Sequence, residues 1–179
     1  MAPKTQSQRA ETEHIRGWVA QHVPRGWFTD SPTVNVDDDE ILVVGTLEEP
    51  QTERGATEAA VAAARLAQIR QFREDTRDGR MRIAQEAEHS FDRKVSWGAR
   101  CGESHELFTT MSVPVMTRLR MGERAVLDIL VSAGVARSRS DALAWCVRLV
   151  GRHETDWLTD LRDALVHVHR VRSEGPTTI

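Results

Sequence analysis

Residues 113–120, VPVMTRLR, read as a β-strand with no second strand pattern in its own half of the chain, and that isolation constrains the fold more than any other feature. Alternation places Val113, Val115, Thr117 and Leu119 on one face and Pro114, Met116, Arg118 and Arg120 on the other. Only helical patterns follow. In ERAVLDILVSAG, Val126, Leu127, Leu130, Val131 and Ala133 form a broad apolar stripe, and Gly134 supplies a C-terminal stop. Ser138-Arg139-Ser140-Asp141 reads as a capping box that opens the helix DALAWCVRLV. A third stripe, Trp157, Leu158, Leu161, Ala164, Leu165, Val168 and Val171, runs to Gly175-Pro176 and reads as core or dimer interface, or as a groove for a partner helix.

This order of strand, helix, short turn and Ser-capped helix resembles the ribbon-helix-helix family of DNA-binding proteins over about residues 113–150, with LDILVSAG and VARSRSDAL as the closest stretches. The resemblance implies a homodimer whose two strands pair into an antiparallel ribbon seated in the major groove of double-stranded DNA. On that register Met116, Arg118 and Arg120 would meet base edges, while Val115, Thr117 and Leu119 would back onto the helices. The start of the second helix, with Arg137, Ser138, Arg139 and Ser140, would hold a phosphate. The implied function is transcription regulation. An alternative for the same unit is a non-catalytic interaction module that serves dimerisation or docking to a larger assembly; Pro114 and Met116 suit it, whereas Arg118, Arg137 and Arg139 do not.

Charge is unevenly distributed. The 179-residue chain has a formal charge of −3, with 14 basic and 19 acidic side chains in residues 1–111 but 10 and 8 in residues 112–179. Residues 112–153 alone carry net +4, and their cations are all arginine, the residue suited to bidentate phosphate and guanine contacts. Since only Lys4 and Lys94 are lysine in the entire chain, a coding bias towards arginine also accounts for that preference.

The remainder reads as a small α+β unit of two β-hairpins and about three helices over residues 13–111, of unknown role, which could also receive a protein partner. Residues 1–12 lack periodicity and are expected as a disordered arm. Ile15, Trp18, Val19 and His22 mark a helix, and TVNVDDDEILVVGTL a hairpin about Asp37, Asp38 and Asp39. TEAAVAAARLAQIRQFRE, with Val61, Leu66, Ile69 and Phe72 inward, and about residues 80–90, with Met81, Ile83, Ala84, Ala87 and the following Phe91 inward, are helices. KVSWGAR and HELFTT form the second hairpin, turning at Cys101-Gly102-Glu103-Ser104. The whole is α+β, with the ribbon-helix-helix-like unit at 112–153 and an extra amphipathic helix at 154–174.

Other chemistries lack their residues. Cys101 and His105 share a hairpin but would need two more ligands, for which Cys146 or His89 are the candidates, to hold zinc. Glu11-x-x-His14 and Glu86-x-x-His89 have di-iron spacing without the four long helices such a site requires. Asp37-Asp38-Asp39-Glu40 lacks the alternate spacing and glycine of a calcium loop, and His167 and His169 cannot share a helix face. No nucleophile elbow, Walker or HExxH element occurs, so neither an enzyme nor a cofactor is expected. With two cysteines, a polar opening MAPKTQSQRAETEH and no apolar run of spanning length, the expectation is a reduced, cytoplasmic protein with no membrane association.

Overall fold

A computed structural model describes residues 6–52, 55–109 and 111–174, which contain six helices and one four-stranded sheet. The chain divides into two compact units, the first running from Gln6 to Val113 and the second from Pro114 on.

The first unit opens with α1 (Gln6–His22). Gln6 to Thr12 are therefore helical rather than a disordered arm, and residues 1–5 lie outside the described residues. The physical reason is anchorage: Ile15 and Val19 are fully buried and Thr12 is buried beside them, so the helix is nucleated by packing and propagates into its polar end at little cost.

Strands β1 (Thr33–Val36) and β2 (Glu40–Thr46) form the first hairpin, whose turn is held by the Asp37 carboxylate accepting from the N–H groups of Asp39 (2.9 Å) and Glu40 (2.7 Å). Strands β3 (Lys94–Cys101) and β4 (Ser104–Leu107) form the second, turning on Gly102 at φ +53°. Between them run α2 (Glu58–Asp75) and α3 (Arg77–Phe91). This crossover brings β3 parallel to β2, Ile41 beside Val95 and Val43 beside Trp97, and fuses the hairpins into a sheet of order β1-β2-β3-β4.

The core lies between the sheet and the helices, where Val34, Val36, Ile41, Val43, Trp97, Ala99 and Cys101 meet Ile15, Val19, Ile69 and Ile83. Gly45 interrupts the β-branched run of β2 because the Phe28 ring occupies the space above it; a Cβ at that position would come within 2.1 Å of the ring.

On α3 the inward positions are 80, 83 and 87, so Arg80 is buried (8% exposed) and Met81, expected inside, is exposed. The Arg80 guanidinium donates from Nε to the Thr76 hydroxyl (3.0 Å) and from Nη2 to the Arg73 carbonyl (2.6 Å), and sits 4.8 Å above the Phe108 ring. Arg73 carries one of the last carbonyls of α2, which have no partner within that helix. Arg80 thus closes α2 while belonging to α3. Burial, and then the neighbouring Arg73, lower its pKa from the ordinary arginine value.

The second unit contains α4 (Met121–Ser132), α5 (Arg139–His153) and α6 (Thr155–Glu174). Its buried apolar residues among those described are Leu127, Ala136 and Ala142, backed by the half-buried Leu119, Leu130, Val131, Leu143 and Cys146.

Candidate nucleic-acid interface

Residues 113–120 form no strand in the single chain. The expectation of a strand there is corrected for a simple reason: a strand exists only within a hydrogen-bonded ladder, and the described residues of the second unit offer no other strand. Val115 and Met116 are 85% and 95% exposed. Of the three residues expected to back onto the helices, only Leu119 packs on the small core, whereas Val115 and Thr117 face solvent. Arg118 is exposed, with no hydrogen bond or ion pair to another described residue.

Arg120 is the N-cap of α4, and its N–H donates to the Glu123 carboxylate at 2.5 Å. Arg124 reaches back from the first turn to the Leu119 carbonyl (2.8 Å). Sequence reasoning placed Arg120 at a base edge rather than at a helix cap, and gave Arg124 no role at this helix start. The available signal was Glu123 at the third helical position, the acidic half of a capping box, hidden because its usual Ser or Thr partner is absent. At the other end, Gly134 (φ +73°) donates to the Val131 carbonyl and Val135 to the Leu130 carbonyl, both at 3.0 Å. This Schellman arrangement stops α4 and sets the turn into α5.

The Ser138 hydroxyl accepts from the Asp141 N–H at 3.2 Å and caps α5, as expected. The Asp141 carboxylate does not return to Ser138 but accepts from the Arg137 N–H at 3.0 Å, with the Arg137 and Arg148 guanidinium groups 3.9 Å from its oxygens. The N–H groups of Arg139 and Ser140 have no partner among the described residues and form the anion-receptive end of α5. Arg139 itself is occupied: it binds Asp128 on α4 in a bidentate pair of 2.7 and 2.8 Å, and this hydrogen bonding holds the Asp128 carboxyl below the usual range. The proposed contact residues therefore fall into two groups. Met116 and Arg118 stand free on the extended segment, which Arg120 ends as the α4 N-cap, while Ser138, Ser140 and Arg137 lie at the α5 start, beside an Arg139 already committed to α4. Ser138→Ala should lower the stability of the second unit by about 1 kcal/mol, read from the denaturant midpoint of the full chain.

The metal candidate separates in the fold. Arg100 faces His105 across the second hairpin, and Cys101 faces Ser104, so Cys101 and His105 project from opposite faces of the sheet. Cys101 is buried with Sγ 3.6 Å from the Glu48 carbonyl, and burial, with Glu49 nearby, raises its thiol pKa. No group of three His, Cys, Asp or Glu side chains among the described residues is placed to hold a metal, and no described helix is long and apolar enough to cross a membrane.

Comparison with known proteins divides the chain at the same place as its contacts. Residues 13–107 match the N-terminal domain of Rv1265-like proteins, and residues 120–172 match the Mb1296 C-terminal domain. The proteins named uncharacterized protein Mb1296, from Mycobacterium bovis, and uncharacterized protein Rv1265, from Mycobacterium tuberculosis, are each 48% identical to the chain over 171 residues, covering 96% of it and 74% of theirs. No solved structure matches. With both domains matched in order and nearly the full length aligned to these relatives, the chain belongs to the Rv1265-like family.

Proposed function

We propose that the protein is a dimeric, non-catalytic DNA-binding regulator acting in the cytoplasm, with the second unit as its DNA-binding element in the ribbon-helix-helix manner. One observation carries this reading: an unpaired segment with Val115 and Met116 in solvent leads directly into two helices and a turn with, among the described residues, three buried apolar side chains. A core of that size is far below what an isolated domain needs, and Met121, Val126, Ile129, Val147 and Val150 are also exposed on the helices. A second copy would supply the missing ladder and the missing apolar cover together. The paired segments would then present Met116, Arg118 and Arg120 to base edges, and the free N–H groups at Arg139 and Ser140 to a phosphate.

A second reading has its own observation. Pro114 and Met116 are apolar and exposed where a groove reader is expected to be polar, which suits docking to a protein assembly instead. Sedimentation of the full chain at low micromolar concentration, followed by binding to duplex DNA across a salt series, separates the two. The DNA reading expects a dimer whose Arg118→Ala variant loses about 1–3 kcal/mol on its preferred site and little on random sequence. A dimer that binds no DNA at any salt concentration transfers the function to docking, and a stable folded monomer removes the ribbon altogether.

A further inference from the structure

We infer that α6 pairs antiparallel with α6 of a second copy of this chain, forming a dimer contact separate from the DNA-binding segment. The helix spans Thr155–Glu174, and its Trp157, Leu161, Leu165, Val168 and Val171 are 37–53% exposed, an apolar stripe uncovered along its length. Trp157, Ala164 and Val171 recur at seven residues, as do Leu161 and Val168 between them, which is the seam of a two-helix coiled coil.

Charge and side-chain size set the occupant and its direction. Residues 154–163 carry four carboxylates and one arginine, net −3, whereas residues 165–174 carry two arginines, two histidines and one glutamate, net +1 with the histidines neutral. Two copies in parallel would place acidic half on acidic half. Antiparallel, each acidic half meets a basic half, and the helix macrodipoles oppose favourably as well. The seam agrees: antiparallel layers set Trp157 against the partner's Val168 and Leu161 against the partner's Ala164, large against small, whereas parallel layers would crowd two Trp157 rings and leave a gap between two Ala164 methyls. Because α6 lies beyond the segment that resembles a ribbon-helix-helix unit, the pairing stands whether or not the protein binds DNA.

Oxidative cross-linking of the full chain tests it. Trp157→Cys with Val168→Cys in one chain should give a disulfide-linked dimer joining position 157 of one copy to position 168 of the other, located by peptide mass. The two positions are about 16 Å apart along one helix and cannot bridge within it. Each single variant should show no more cross-linking than the wild-type background from Cys146. Cross-linking by either single variant means parallel pairing and overturns the inference, as does a folded double variant that gives no 157–168 linkage. A second variant leaves the apolar stripe intact: Asp160→Arg with Asp163→Arg should weaken self-association about tenfold at low salt, the difference vanishing at high salt. Unchanged association also overturns the inference, and this variant decides alone if the cysteine chain loses its helical signal.

Discussion

Trp97→Ala is expected to destabilise the first unit by about 3–5 kcal/mol, whereas Trp97→Phe should cost less than about 1.5 kcal/mol. Trp97 is 3% exposed at the centre of β3, next to Val43 across the parallel pair and edge-on to the Trp27 ring at 6.1 Å. Truncation removes the largest side chain of this core and opens a cavity that the sheet cannot collapse to fill. The two substitutions differ so much because phenylalanine keeps an aromatic ring where alanine leaves a void; both remove the indole Nε1–H, which is buried without a hydrogen-bond acceptor among the described residues. Phenylalanine removes a donor whose desolvation already opposes folding, and that gain offsets part of the lost area. Denaturant unfolding followed by circular dichroism provides the comparison; a Trp97→Phe loss well above about 1.5 kcal/mol would mean the indole N–H is satisfied in solution.

Arg80→Ala is the second large effect, expected at about 3 kcal/mol. The substitution strips the Arg73 carbonyl and the Thr76 hydroxyl of a donor at the junction of α2 and α3, and takes the cation from the Phe108 face. Arg80→Lys should restore little of this, because a single ammonium cannot reproduce the planar fork that reaches two acceptors while lying on a ring. Although burial lowers the Arg80 pKa, an arginine starts so high that the group stays charged through the neutral range. The difference between wild type and Arg80→Ala, measured in urea, should therefore be flat from about pH 6 to pH 9.

Both hairpins and all six helices could be read from the sequence because each is marked by a local pattern: β-branched alternation around Asp37 and Gly102, and helical apolar spacing elsewhere. The parallel pairing of β2 with β3 was not, since it is a long-range contact whose sole local trace is a pair of helices of crossover length between the hairpins. Arg80 was missed because its charge argued for the surface, when its long stem and forked head were required to cap a neighbouring helix. In the candidate interface, the Ser138 cap follows from residue type and position alone. The Arg139–Asp128 pair does not, as it joins residues on two helices whose packing angle no single-helix pattern encodes. Residues 113–120 carry a genuine alternation, but alternation specifies faces and not the partner that turns an extended segment into a strand.

The parallel join between the hairpins also dictates an order of events as the chain folds. The β1–β2 and β3–β4 turns close three-residue and two-residue loops, whereas setting β2 beside β3 closes the 47 residues from Leu47 to Arg93. That longer closure costs about 2 kcal/mol more conformational entropy than the first hairpin turn. Nothing repays it until α2 and α3 cover the sheet, so the two hairpins form early as separate pieces and the central β2–β3 seam registers late, with helix docking. The rate-limiting step of the first unit thus lies at the middle of its sheet, and variants there slow folding more than variants in either turn.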